Sequence, residues 1–245
     1  ARLTTVGASG PDGIAAYAAV VTNPAYFRSL VSTVLLSAGV TVATLVISSV
    51  AGMFLSRNRF PGRGLLTAML TFPLAFPGVV VGFMVILLAG RQGLIGDITA
   101  WLFDGRLVFA YSMAGLFVGY LYFSIPRVIL TIMAAAEKLD PKLEEAARSL
   151  GASPWRVIVD VLVPGLKPAL ISAGAICFAT SMGAFGTAFT LATRINVLPI
   201  TIYTEFTNYA NFATAASLSI VLGVLTWLVL NLARTFAGST VAAAA

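Results

Sequence analysis

Apolar residues in this chain run on without the alternation of a half-buried strand. Five long stretches stand out: 29–55 (SLVSTVLLSAGVTVATLVISSVAGMFL), 65–89 (LLTAMLTFPLAFPGVVVGFMVILLA), 107–134, 168–192 and 214–233. Each meets the requirement of about 20 mostly apolar residues to cross roughly 30 Å of hydrocarbon. A membrane β-barrel would instead show runs of about ten residues alternating apolar and polar. The pattern predicts an all-α polytopic membrane protein with five strong spans. Residues 13–22, GIAAYAAVVT, are apolar but too short to span, which reads as an interfacial helix. The second stretch carries Pro73 and Pro77, then Gly78 and Gly82, and the third carries Pro126. Proline inside a spanning helix kinks it and frees backbone carbonyls. That kink serves either helix packing or a bend beside a translocation path.

Composition agrees. Of 245 residues, 59% are hydrophobic and 10% charged, against about 25% charged in soluble domains. The net charge of +6 becomes informative once it is mapped. SRNRFPGRG (56–64) holds three Arg and no acid, and Arg127, Lys138, Lys142, Arg148, Arg156, Lys167 and Arg234 fall on the same side, making ten. The other side has five: Arg2, Arg28, Arg91, Arg106 and Arg194. Positive charge marks the cytoplasmic side, which puts the first residue outside and the last inside. An outside start without a signal peptide implies a preceding helix, hence six spans in the full protein and trimming at both ends. No basic patch has the aromatic interleaving of a nucleic-acid surface.

Several chemistries are excluded by residue type. The chain has no histidine, which removes HExxH metal sites, Ser-His-Asp triads and histidine proton relays. It has no GxxxxGK[ST] loop, so it does not hydrolyse ATP by itself. Its one cysteine, Cys177, lies in an apolar run and reads as a small buried side chain.

The charged stretch EEAARSLGASPWRVIVDVLVPGLKPAL (144–170) lies between two spanning segments. Asp140 can cap a helix that Pro141 opens. Leu143, Ala146, Ala147 and Leu150 then share one narrow face. Gly151 sits where a glycine closes a helix. Ser153 and Pro154 open a second helix, with Val157, Ile158, Val161 and Leu162 as its stripe. Pro164 and Pro168 are expected to end it. The loop therefore reads as an ordered helix–turn–helix; the alternative is a plain amphipathic helix at the membrane interface.

These residues carry a resemblance. The stretch resembles the EAA loop of permease subunits of binding-protein-dependent type I ABC importers, whose pattern is EAA, three residues, Gly, nine residues, then I-x-L-P. Here it reads Glu145-Ala146-Ala147, three residues, Gly151, nine residues, then Val161-Leu162-Val163-Pro164. The departures are Val for Ile and Val for Leu. The resemblance implies the type I importer permease (MetI-like) fold. It implies an extracytoplasmic connector over 1–28, a transmembrane permease domain over 29–236 with its cytoplasmic coupling loop at about 135–167, and a tail over 237–245. It further implies a multi-pass protein of the bacterial cytoplasmic (inner) membrane.

By the same resemblance, Glu144, Glu145, Ala146, Ala147, Gly151, Ala152, Ser153, Pro154 and Pro164 form the contact with a separate ATPase. None of them is catalytic. Partners would be two ATP-binding subunits that hold ATP and Mg, a second permease of different sequence, an extracytoplasmic solute-binding protein and the bilayer. This chain itself would hold no cofactor and no metal.

The segment 181–220 resembles the same region of polyamine importers, and of those for iron, sulfate, thiamine and phosphonates. Leu198-Pro199-Ile200-Thr201-Ile202-Tyr203 looks closest to the spermidine/putrescine group. Several of these relatives carry Glu where Ala184 stands here. No Asp or Glu lies in a span core, which complicates a polycation unless the second permease supplies acids; a polyamine is the favoured solute, with an anion, phosphonate, thiamine or ferric iron as the alternative. Thr180, Ser181 and Thr187, with Ser172, could line a path or serve helix packing. Tyr203, Glu205 and Tyr209 fall near the outer side, where solute would enter or a binding protein would dock. A stand-alone secondary transporter would need ion-coupling residues or a filter, and an intramembrane enzyme would need paired aspartates or histidine ligands. Neither set is present. A structural scaffold would leave the EAA spacing unexplained.

Overall fold

The computed structural model describes residues 14–191 and 195–237. Arg2, Arg194 and the tail after Ala237 lie outside the described residues. Among the described residues every regular element is helical. In chain order they are α1 (Ile14–Thr22), α2 (Pro24–Arg57), α3 (Arg63–Thr71) running into a 3₁₀ turn (Phe72–Ala75), α4 (Gly78–Ala89), α5 (Leu94–Phe103) and α6 (Met113–Glu137). After these come α7 (Pro141–Ser149), α8 (Pro154–Val157), a π turn (Ile158–Leu162), α9 (Val163–Met182), α10 (Gly186–Leu191), α11 (Leu198–Thr207) and α12 (Phe212–Ala237).

Five stretches are long and apolar enough to cross a membrane: Pro24–Arg57, Gly78–Phe103, Met113–Glu137, Pro154–Met182 and Phe212–Ala237. Three match the expected spans within about two turns. The second does not. The expected helix over 65–89 is cut in two, because neither Pro73 nor Pro77 can donate a backbone hydrogen bond. α3 tightens into the 3₁₀ turn at Phe72–Ala75, and Pro77 sits in extended backbone (φ −60°, ψ 146°) as the cap of α4. The stretch Gly78–Phe103 itself turns at residues 90–93. Pro126, by contrast, lies within an uninterrupted α6.

The fourth span also differs. Pro164 and Pro168 do not end the second loop helix; α8, the π turn and α9 form one continuous run into the membrane segment. The π turn lets the Val163 N–H reach the Ile158 carbonyl five residues back. The prolines stand four apart, so the donor Pro168 lacks is the one that would have met the Pro164 carbonyl. The run stops at Met182, short of the expected 192.

The chain divides into two compact units. Among the described residues, the first comprises 14–40, 76–122, 178–191 and 195–228; the second comprises 41–75, 123–177 and 229–237.

In the first unit, the Asn23 side chain caps α2 by accepting from the Ala25 N–H at 2.9 Å. Of the expected 13–22 segment, Ile14–Thr22 form a helix, α1, and its Val20 is buried against Leu198 and Leu218. The Thr33 hydroxyl donates to the Ser29 carbonyl and accepts from the Leu198 N–H, both at 2.7 Å. It thereby satisfies a donor that the start of α11 leaves open.

In the second unit, Ser48 donates to the Ile125 carbonyl at 3.1 Å, and Leu55, Ile129 and Met133 form a core. Cys177 is buried, as its apolar setting predicts.

The polarity of α2 is inverted relative to a soluble helix. Leu35, Val42, Val46 and Val50 are exposed, while Ser29, Thr33, Ser37, Thr44 and Ser48 are buried. Hydroxyls face protein and branched apolar chains face outward, which suits a lipid solvent in which apolar surface has no reason to hide.

Candidate functional site

The coupling-loop residues lie together in the second unit. Asp140 caps α7, its carboxylate accepting from the Lys142 N–H at 3.0 Å, with Pro141 at the first helical position. The other end closes in a Schellman motif. Gly151 takes the left-handed conformation at φ +85°. Its N–H donates to the Arg148 carbonyl at 2.9 Å, and the Ala152 N–H to the Ala147 carbonyl at 3.0 Å. A side chain at Gly151 would meet nothing within 4 Å, so backbone conformation alone demands glycine here. Ser153 then caps α8 from its hydroxyl to the Arg156 N–H at 3.4 Å, with Pro154 next. The chain thus turns between α7 and α8 with the last α7 carbonyls and the first α8 donor bonded locally.

The apolar face expected on α7 is present, and it is uncovered. Leu143 is exposed, Leu150 is 89% exposed and Trp155 71% exposed. Glu145 and Ala146 are exposed beside them. The two glutamates differ. Glu145 points outward, whereas Glu144 turns in against Arg57, with Oε1 and Nη2 2.6 Å apart. Arg148 stands 3.9 Å from its other oxygen. Ala147 and Ala152 are half-buried, and Pro164 is exposed at the start of α9.

Of the residues proposed for a path, Thr180, Ser181, Thr187, Tyr203 and Glu205 fall in the first unit and Ser172 in the second. Thr187 is buried, and its hydroxyl donates to the Gly78 carbonyl at 2.9 Å, tying α10 to α4. In this structure that hydroxyl serves helix packing. α4 and α10 approach so closely that a methyl group at Gly82 would run into the Thr190 side chain. Ser181 is fully buried, and its hydroxyl has no hydrogen-bond partner among the described residues. Thr180 and Ser172 are half-buried. Tyr203 joins Phe185 and Phe189 in an aromatic cluster with ring centroids 5.2–5.4 Å apart, each ring more than a third exposed. Glu205 is buried beside Asn211, whose amide donates to its carboxylate at 3.3 Å, and Tyr26 hydrogen-bonds it as well. Tyr209 is exposed.

Tyr120 escaped the sequence reading. It is 1% exposed, and its hydroxyl donates to the Ala184 carbonyl at 2.6 Å, where the helix breaks between α9 and α10. A break at membrane depth frees backbone groups that protein must satisfy. A lone tyrosine in an apolar run carries no signal of that duty.

Residues 44–239 match the family described as binding-protein-dependent transport system inner membrane component. The chain belongs to this family. It is an ABC importer permease subunit, a multi-pass inner-membrane protein with the MetI-like fold. Among its relatives, the sulfate transport system permease protein CysT of Escherichia coli (strain K12) is 32% identical over 212 residues, covering 85% of this chain and 76% of the relative. The molybdenum transport system permease protein ModB of the same organism is 35% identical over 197 residues, covering 77% and 85%. The crystal structure of a bacterial alginate ABC transporter, in complex with an alginate pentasaccharide-bound periplasmic protein, contains a chain of the same fold. That chain superposes with a TM-score of 0.75 at 16% identity, covering 91% of this chain and 82% of that one. The spermidine/putrescine subgroup finds no support among these relatives.

Proposed function

We propose that this permease carries a small tetrahedral oxyanion of the sulfate or molybdate kind, and that α7 with the 150–155 turn is the surface driven by a separate ATPase. The observation that carries the coupling role is the uncovered apolar face. Leu150 and Trp155 stand 89% and 71% exposed on a turn closed by the Gly151 and Ala152 N–H bonds to the Arg148 and Ala147 carbonyls. Large exposed apolar side chains on a rigid, polar-flanked element mark a protein interface. Supporting the substrate class are the sulfate and molybdate permeases among the relatives. A polycation would be served by acids in the span cores, and the sequence has none there.

The working assembly on this reading pairs this chain with a second permease, two ATPase subunits that hold ATP and Mg, and an extracytoplasmic binding protein. The ten-to-five distribution of Lys and Arg supports a cytoplasmic side for the coupling loop and the C-terminal end. The substrate test is uptake by the assembled importer in proteoliposomes, offering radiolabelled sulfate, molybdate and spermidine in turn. Saturable ATP-dependent uptake of an oxyanion supports the reading; uptake of spermidine alone overturns it.

A further inference from the structure

The coupling reading leaves open how α7 moves the rest of the chain, and an ion pair in the second unit bears on it. Covalently, α7 hangs from α6 by the three residues 138–140. Arg57 is the last residue of α2, which is one unbroken helix of 34 residues. Its guanidinium meets Glu144 at 2.6 Å, with the two side chains only 25% and 15% exposed. The atoms Arg57 Nε, Arg57 Nη2 and Glu144 Oε1 are buried, and none is aligned in a hydrogen bond among the described residues. Their charges are compensated by the ion pair itself, with the more exposed Arg148 3.9 Å from the other Glu144 oxygen. A pair of that kind resists separation, because parting it strands both ions away from water.

Arg63 works alongside. Its Nε donates to the Leu55 carbonyl at 2.7 Å and its Nη2 to Glu137 at 2.8 Å. The ends of α2 and α6 are thus stapled together, and Glu144 hangs α7 from the same joint.

We infer that Arg57 is a positioning residue for coupling: through Glu144 it fastens the coupling helix to the inner end of α2, so that displacement of α7 is passed to that helix. This rests on the coupling reading above. It also divides the two glutamates, with Glu145 facing the partner and Glu144 facing the permease itself.

The test uses the assembled importer in proteoliposomes. Radiolabelled sulfate, molybdate and spermidine are offered, and whichever the wild type imports is counted per ATP hydrolysed. Arg57→Glu and Glu144→Arg each lower that ratio about tenfold, the effect of a moderate coupling energy between charged neighbours. The exchanged pair R57E/E144R recovers most of it. The neutral pair R57Q/E144Q strands no charge and inserts normally, yet it keeps the tenfold loss, because the tether is gone. A normal ratio in the neutral pair overturns the inference, and so does an exchanged pair no better than the single variants.

Leu150→Asp separates the two ideas. If it retains both bound ATPase and full uptake, the coupling reading fails and the tether with it. If it loses the ATPase while the Arg57 variants stay coupled, the tether alone fails.

Discussion

Gly151 offers a graded test of the coupling turn. Its φ of +85° is one that residues with a Cβ adopt at a cost of about 1–2 kcal/mol. A Cβ there meets nothing within 4 Å, so Gly151→Ala adds backbone strain and no clash. That strain lowers the population of the native turn by about 5–30-fold relative to competing conformations. Asparagine tolerates the left-handed region better, so Gly151→Asn falls between glycine and alanine. Gly151→Pro is worst. Its ring holds φ near −65°, it deletes the N–H that bonds the Arg148 carbonyl, and it disfavours the backbone of Leu150 just before it (φ −83°, ψ 6°), since a residue preceding proline is pushed to extended ψ. Solute imported per ATP and the amount of ATPase co-purified should both follow the order Gly, Asn, Ala, Pro, with membrane insertion unchanged. Equal coupling in the alanine and proline variants would refute the claim that this turn geometry matters.

Further predictions concern the first unit. Gly82→Ala forces a methyl group into Thr190 and should cost about 1–3 kcal/mol, read as a lower melting temperature in detergent. The double variant with Thr190→Ala should recover part of that loss. Tyr120→Phe removes the donor from the half-buried Ala184 carbonyl and should cost about 0.5–1.5 kcal/mol, checked by the same melt. Thr33→Val removes a hydroxyl that bonds the Ser29 carbonyl within α2 and the Leu198 N–H at the start of α11, and should destabilise by about 1–3 kcal/mol.

Much of this protein was legible because the bilayer imposes simple rules. Long apolar runs gave the spans, and local chemistry at Asp140, Pro141, Gly151, Ser153 and Pro154 gave the coupling loop with its caps in place. Those features depend on neighbours a few residues away. The second span was misplaced because Pro73 and Pro77 do more than kink a helix. The fourth was misplaced because Pro164 and Pro168, four apart, can stay inside one when a π turn precedes them. Long-range partners were invisible: nothing near Arg57 says that it folds onto Glu144, 87 positions on, and nothing near Tyr120 points to Ala184. The hydroxyl stripe of α2 was readable in principle. Its small polar residues recur every three or four positions, a spacing that marks a packed face only once lipid is taken as the solvent.

The central claim is that the exposed face at Leu150 docks onto an ATPase. Cys177 is buried, so a Cys177→Ser background carrying Leu150→Cys presents one reactive thiol. The assembled, transport-active importer would be treated with a short thiol-directed photocrosslinker. The account predicts a crosslink from position 150 to the ATP-binding subunit, whose yield changes with ATP. Crosslinks to lipid alone, in a complex that still transports, would contradict it.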